Sequence, residues 1–484
     1  AAGRGGAASA RGGSPAGRPQ PARQCGGGMA ARGRAVLLLC AFSCVEAWQY
    51  GIMIDAGSGG SRVHFFRWPE RVADPLRPLY AAVTMPEPLL EVSGKPGISA
   101  FAHNASGVRP YMAQLLGQIK QQLLHLKQQW YLMPIYLKAT AGARDLYQDQ
   151  RDAIFAELRD ELAESGFRFD SQYWARTISG EEEAVYAWLT VNAIKGTFHF
   201  DDAQSTWGAL DMGGASTQMA FIPKDISIIQ NYYPLHVSYV HVHLYSHSYL
   251  EFGYRDAFLR LARMVKRAGH GRGTKADPVR IPCLKRGAIL RQNVSDTFSL
   301  DQAPWWLRGT GNLSQCLAMA RALLKPTAKC YVPANDRSFA VDSRSGACGI
   351  SGVYEPVVEK RKFIAIGQYA KVAQFLGLSL DTLVPLSEWN AAVQRTCGKR
   401  MVANKCWKAI WLGSVLHSGL RFPPDVPQIM FSMTLNGRTT GWALGAMMNE
   451  VNYFPWTASA AGGGVRLAAV GAGAGPPEGP PSAP

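Results

Sequence analysis

The chain has 484 residues, more than one hydrophobic core ordinarily supports, and its 47% hydrophobic and 18% charged content excludes a disordered or fibrous protein. The formal net charge of +16 falls to +11 once residues 1–47, with six Arg and one Glu, are set aside. That excess is scattered, its densest run being Lys360-Arg361-Lys362, and no zinc-finger, RNP or basic-helix pattern accompanies it. A dedicated nucleic-acid reader is therefore excluded, whereas a polyanionic small substrate is favoured.

Residues 1–28 are a low-complexity upstream segment of mostly Gly, Ala, Arg, Pro and Ser. Residues 29–47 read as a signal peptide, with Arg32 and Arg34 before the apolar run Ala35 to Val45 and a small-x-small cleavage site at Val45-Glu46-Ala47. That run of 11 residues is too short to span a bilayer, which needs about 20. "YGIMIDAGSGGSRVHFFRW" (50–68) then reads as a strand, an acid, a Gly/Ser turn and a second strand. "WGALDMGGASTQMAFI" (207–222) repeats the pattern, placing Asp211 where Asp55 stood. Two such hairpins predict two similar lobes facing one cleft. Glycines in each turn leave backbone N–H groups open to an anion.

Between the hairpins the spacing predicts a helix over 111–130, a strand over 134–146, a helix over 151–166 and an amphipathic helix within 177–194 with Ala184, Trp188 and Val191 on one side. Later, "KFIAIGQYAKVAQFLGL" and "CWKAIWLGSVLHSGL" read as helices, "QIMFSMTL" as a strand and "GWALGAMM" (441–448) as a closing helix. This alternation predicts an α/β fold. Lobe I is expected over 48–170, with 436–458 returning to it, and lobe II over 171–435. Residues 459–484 are Ala/Gly/Pro-rich and read as a disordered tail, with no C-terminal membrane span.

Six cysteines follow the predicted cleavage site, all in the second half of the chain. Six Cys allow 15 connectivities, and sequential pairing is the expectation: Cys283–Cys316, Cys330–Cys348 and Cys397–Cys406. A zinc site lacks the C-x-x-C pair it would use. Sequons at Asn104, Asn293 and Asn312 agree with export, as glycosylation sites of a secreted protein or one of the Golgi or endolysosomal lumen.

The ordered segments "IDAGSGGSR", "LKATAGARDL", "ISGEEEAVYAW", "ALDMGGASTQMAF" and "GWALGAMMN" resemble the five conserved regions of the nucleoside triphosphate diphosphohydrolase (apyrase) family, over roughly residues 48–456. "YGIMID" and the surroundings of "SGEEEAVYAW" most resemble its Golgi and lysosomal branch. The resemblance implies two actin/Hsp70-like, ribonuclease H-like lobes around a nucleotide cleft. It implies hydrolysis of the terminal phosphoanhydride of a nucleoside tri- or diphosphate by direct attack of water. Asp55 and Asp211 then hold Mg²⁺ or Ca²⁺, largely through water. Ser58, Gly59, Gly60 and Ser61 cradle one phosphate, and Gly213, Gly214 and Ala215 another. Glu183 is the catalytic base, Ser216 and Gln218 orient the water, and Thr140 and Arg144 meet the terminal phosphate. Tyr369 falls where the family stacks the nucleobase.

Each motif alone has an ordinary structural explanation; Glu181-Glu182-Glu183 suits any helix N-terminus. Their co-occurrence in order points to turnover. A sugar kinase or polyphosphate phosphatase of the same superfamily would share the two hairpins, but the signal peptide and the Glu183 motif argue against it; a non-catalytic nucleotide-binding protein would keep Asp55 and Asp211 but has no need of Glu183, Ser216 and Gln218. Gly59, Glu181 and Ala184 depart from the family's Ser/Thr, Gln and Gly, and the added charge of Glu181 is expected to raise the pKa of Glu183. His236, His241, His243 and His247 read as a strand face rather than a metal site.

Overall fold

A computed structural model describes residues 48–70, 83–197, 205–224, 228, 230–237, 240–293, 304–325, 348–358, 360–435, 437–439 and 441–452. The signal peptide, the C-terminal tail and Cys330 lie outside these residues.

The first hairpin forms as its alternation predicts. Strands β1 (Trp48–Gly57) and β2 (Gly60–Pro69) pair antiparallel, with Gly57 opposite Gly60 at the turn. Next come β3 (Glu87–Gly94), α1 (Val108–Gln122), β4 (Ile135–Ala139), α2 (Ala141–Arg144), α3 (Gln148–Ala163) and β5 (Ala175–Thr177). They complete a five-stranded sheet of order β3-β2-β1-β4-β5, against which α1 presses Met112, Leu115, Leu116 and Ile119. The strand expected over 134–146 ends early, because at Thr140 the chain turns into α2.

After α4 (Gly180–Lys195), the second hairpin pairs β6 (Gly208–Met212) with β7 (Ser216–Phe221), placing Asp211 opposite Gln218. The chain continues through β8 (Tyr232–Val237), β9 (Val240–Leu250), α5 (Tyr254–Arg267), β10 (Val279–Ile281), β11 (Ile289–Gln292), β12 (Trp305–Gly309) and α6 (Leu313–Leu324). It closes with β13 (Phe363–Ala365), α7 (Gln368–Leu376), β14 (Leu383–Val384), α8 (Leu386–Cys397), α9 (Ala403–Ser414), β15 (Ile429–Phe431), the short pair β16 (Thr434–Leu435) and β17 (Arg438–Thr439), and α10 (Trp442–Asn452). The second sheet has the order β14-β15-β13-β6-β7-β9-β8. Its central run β9-β7-β6-β13-β15 repeats the order of the whole first sheet, with the same parallel and antiparallel senses. The duplication seen as two similar hairpins is thus a duplication of two sheets, and the fold is the α/β, two-lobed, actin-like one.

Two expectations are corrected. The segment "KFIAIGQYAKVAQFLGL" is a buried strand, β13, before it is a helix, because three apolar residues in a row suit a parallel strand covered on both faces. Helix α4 is buried on nearly all sides rather than along one stripe, since it packs on the second sheet and against α10.

Disulfides Cys283–Cys316 and Cys397–Cys406 form as expected, the first spanning 33 residues and the second nine. Loop-closure entropy assigns them about 3.7 and about 2.6 kcal/mol. Cys330–Cys348 involves a residue outside those described. Helix α10 ties the parts together. The ammonium of buried Lys138 on β4 donates to Glu450 at 2.6 Å, and Thr190 of α4 bonds both the Gly441 carbonyl and the Gly445 N–H. At Gly445 the helices touch, and a Cβ there would collide with the Tyr186 carbonyl. Gly445→Val is therefore expected to lower stability by about 1–3 kcal/mol, read as a fall in the thermal midpoint, whereas an unchanged midpoint would show that the two helices separate freely.

Candidate functional site

The turns of the two hairpins face each other across a cleft of about 310 Å³. Ser58, Gly59, Gly60, Gly213, Gly214 and Ala215 line it from the two sides. The turns approach so closely that a Cβ on Gly214 would sit 2.8 Å from the Ser58 hydroxyl. They are also linked, for Arg255 donates to the Ser58 carbonyl at 2.9 Å. A Cβ on Gly59 would meet nothing within 4 Å, so its missing hydroxyl leaves open space rather than a filled contact.

Asp55 and Asp211, at the ends of their strands, both line the cleft. Asp55 is 6% exposed, with Oδ2 receiving a 2.8 Å bond from Arg62 and Oδ1 buried without a hydrogen-bond partner. Burial raises its pKa despite Arg62. Burial also raises Asp211, to about 6, with the Asp55 charge adding to it. Gly367 abuts Asp211: its φ is +63°, and a Cβ there would strike the carboxylate. Only glycine combines that backbone with that proximity.

Glu183 is the third cleft acid. The sequence SGEEE gives α4 a capping box: Ser179 Oγ accepts from the Glu182 N–H, and the Glu182 carboxylate accepts from the Ser179 N–H, each at 3.0 Å. Glu182 also pairs with Arg176, and Glu181 faces His247 at 3.5 Å. One position further round the helix, Glu183 points inward, accepting from Arg144 at 2.9 Å and Gln218 at 3.2 Å. Burial lifts its pKa to about 7, with Arg144 pulling it down and Asp211 and Asp55 pushing it up. The expectation that Glu181 does the pushing is corrected. Burial raises Glu181, but His247 and the hydrogen bonds at the start of the helix together outweigh it and leave the group below its ordinary value, and the repulsion on Glu183 comes from the two aspartates.

Ser216 receives bonds from Gln218 at 2.6 Å and Arg144 at 3.3 Å, and lines the cleft with Thr140. Gln218 is 1% exposed and lies behind Glu183 and Ser216, so it reaches the cleft only through them. Arg144 likewise spends its guanidinium on Glu183, Ser216 and the Ile178 carbonyl. Two predicted contacts are overturned. Ser61 is fully buried and its N–H bonds the Tyr111 hydroxyl, because it already belongs to β2 rather than to the turn. Tyr369 is fully buried too; its hydroxyl meets Thr217 at 3.3 Å, and its ring belongs to the core beneath the second sheet. His236, His241 and His243 are exposed on β8 and β9, and among the described residues no three His, Cys, Asp or Glu converge as a metal cluster.

Sequence reasoning missed Ser248, whose hydroxyl accepts from Gln218 at 3.0 Å and against whose Cβ Gly180 packs. It sits in the tract "HSYL", which reads as plain strand. Arg62 and Arg255 were also missed, and of the two only Arg62, in "GSR", lay inside one of the five quoted regions.

Comparisons with known proteins identify the family and the fold. The family described as GDA1/CD39 (nucleoside phosphatase) matches residues 42–462. Ectonucleoside triphosphate diphosphohydrolase 1 of Bos taurus is 26% identical over 450 residues, covering 85% of this chain and 82% of the relative. Probable apyrase 3 of Arabidopsis thaliana is 28% identical over 428 residues, covering 83% and 82%. A crystal structure of nucleoside triphosphate hydrolases from Neospora caninum shares the fold at TM-score 0.58 and 18% identity, covering 84% of this chain and 93% of that one.

Since Ser248 fixes Gln218 and Gln218 fixes Glu183 and Ser216, Ser248→Ala is expected to lower kcat for nucleotide hydrolysis about three- to tenfold at little-changed KM. An unchanged kcat would show that Gln218 is held by its other partners alone.

Proposed function

The chain belongs to the GDA1/CD39 (nucleoside phosphatase) family and is a nucleoside phosphate hydrolase, and we propose that it cleaves the terminal phosphoanhydride of nucleoside tri- or diphosphates with a divalent cation and direct attack by water. The single observation that carries this reading is a desolvated carboxylate, Glu183, whose pKa is raised to about 7 in a cleft lined by two glycine-bearing hairpin turns.

The donor set fits a cation. Asp55 Oδ1 is buried without a partner, and both aspartates resist ionisation as they stand. An all-oxygen pair of this kind suits Mg²⁺ or Ca²⁺. When bound, the ion supplies charge neutralisation for the phosphate oxygens and the two carboxylates. The chain's own groups do the rest. Backbone N–H groups of residues 58–60 and of Gly214 and Ala215 hold the phosphates, Gly213 being committed to the turn by its own 2.9 Å bond to the Ser216 carbonyl, and Ser216 orients the water. Glu183 takes a proton from that water as its oxygen bonds to the terminal phosphorus. The bridging P–O bond breaks, and its electron pair leaves with the shorter nucleotide. Arg144 and Gln218 are positioning residues here, for they keep Glu183 ionisable and aimed. The two disulfides formed and the exposed Asn104, Asn293 and Asn312 support a route through the secretory pathway. No described helix is long and apolar enough to cross a membrane.

Glu183→Gln is expected to cut phosphate release from ADP, GDP or ATP by about 10²–10⁴-fold without lowering the thermal midpoint, because it removes a charge that burial penalises. Retained activity would remove Glu183 from the role of base, and EDTA is expected to abolish release in the parent.

The base must be ionised, so kcat/KM rises with pH through a midpoint no higher than about 7. Arg144 lowers the pKa of Glu183, hence Arg144→Leu moves that acid limb to higher pH. A limb that stays in place would dissociate Arg144 from the titration.

A further inference from the structure

Arg62 has no part in the chemistry above, yet its place is written into the first hairpin. It stands directly opposite Asp55 in the register of β1 and β2, so the two side chains share one face of the sheet, and both line the cleft. The guanidinium donates to Asp55 Oδ2 at 2.8 Å, and its charge acts on Asp211 as well. One cation belonging to the chain itself therefore serves both carboxylates that the divalent ion would use.

The two partners are unequally committed to their bond. Asp55 leaves 9% of its side-chain surface exposed and Arg62 leaves 47%. The carboxylate is thus fixed in the cleft, whereas the guanidinium can withdraw toward water at little desolvation cost. It also has a second acid within reach. Ser93 of β3 opposes Arg62, so Glu91, two residues along, is its diagonal neighbour on the same face and lines the same cleft. Asp55 Oδ1, meanwhile, is buried without a hydrogen-bond partner, so the pair with Arg62 leaves half of the carboxylate unsatisfied.

We propose that Arg62 is a built-in counter-ion that competes with the divalent cation for Asp55, so that the free protein binds the ion weakly and takes it up together with the phosphate chain of its substrate. The proposal rests on the reading that Asp55 and Asp211 hold the cation. An ion that claims Asp55 must loosen a charge-assisted bond, and it brings a second positive charge close to the guanidinium. A phosphate chain relieves that conflict, because it supplies anionic oxygens to the ion and to the displaced Arg62 alike. Before substrate arrives, the same guanidinium offsets the repulsion between the two aspartates. A rival role for Arg62 is contact with phosphate alone, which would be indifferent to the ion.

Binding of the ion alone separates these roles without relying on turnover. Mg²⁺ and Ca²⁺ are titrated at pH 8, without nucleotide, into the parent chain, Arg62→Gln, Arg62→Lys and the double variant Arg62→Gln/Asp55→Asn, by calorimetry and by the rise of the thermal midpoint with ion concentration. The expected result is binding about tenfold or more tighter in Arg62→Gln than in the parent, staying within about threefold of the parent in Arg62→Lys, with the gain lost in the double variant. Three results overturn the proposal: equal affinity in the parent and Arg62→Gln, a gain that survives Asp55→Asn, or Arg62→Lys binding as tightly as Arg62→Gln. Glutamine keeps an N–H for Asp55 Oδ2, and Arg62→Met repeats the measurement where Arg62→Gln fails to fold. Tighter ion binding by Arg62→Gln beside a parent that releases no phosphate from ADP, GDP or ATP would sink the hydrolase reading and leave this one standing. Cation-dependent phosphate release with equal ion affinities in the two chains would do the reverse.

Discussion

Everything at the centre of this protein depends on three carboxylates that have lost much of their water and face one cleft. Asp55, Asp211 and Glu183 are each raised by burial, and the charges of Asp55 and Asp211 push Glu183 further. A surface would not tolerate this arrangement without purpose, because each acid would simply turn to solvent. Here the backbone prevents it: two acids sit at strand ends and the third in the first turn of a buried helix. The outcome is a cavity with a standing demand for positive charge, met in part by Arg62 and Arg144. The same demand suits the cation proposed to arrive with a phosphate chain, and the raised pKa of Glu183 suits the base proposed for that position.

The duplicated strand order explains how the acids come to oppose one another. In both sheets a hairpin supplies the two strands next to a parallel partner, so Asp55 beside β4 and Asp211 beside β13 occupy corresponding ends. Bringing those ends together requires contacts that hold the halves at short range. Helix α10 does this through Lys138–Glu450 on one side and the Thr190 and Gly445 contacts on the other. Burying Lys138 is tolerable only because its charge is paired, and a pair so placed contributes to orientation more than to net stability. Residues outside the cleft lining, Lys138 and Thr190 among them, thus help hold together the halves that form it.

The hairpins, the acids at their ends and the closing helix were legible because each is written locally: an alternating run, then Asp, then glycines, all within a dozen residues. Two of the disulfides followed from order alone. What stayed hidden depends on the third dimension. Tyr369 and Ser61 belong to segments whose neighbours do reach the cleft, and one residue of phase along a strand or around a helix turns a side chain from site to core. Ser248 lies far in sequence from every motif and reaches the cleft acids only through Gln218, so nothing local marks it. The strand β13 was hidden inside a helical pattern, because a short apolar run covered on both faces carries no period of its own.

Phase also explains the run of three glutamates, where an ordinary structural reading and a chemical one both hold. Successive residues of a helix are rotated by about 100°. The capping box commits Glu182 to the Ser179 N–H and to Arg176, which fixes the rotation of α4 about its axis. With that rotation set, Glu181 must face β9, where His247 meets it, and Glu183 must face the cleft. Gly180 then lies against Ser248, where any Cβ would force the helix away from the sheet. The cap that begins the helix is therefore also the device that aims Glu183 into the cleft, and a stability contact and a cleft geometry are specified by one short run, Ser179 to Glu183.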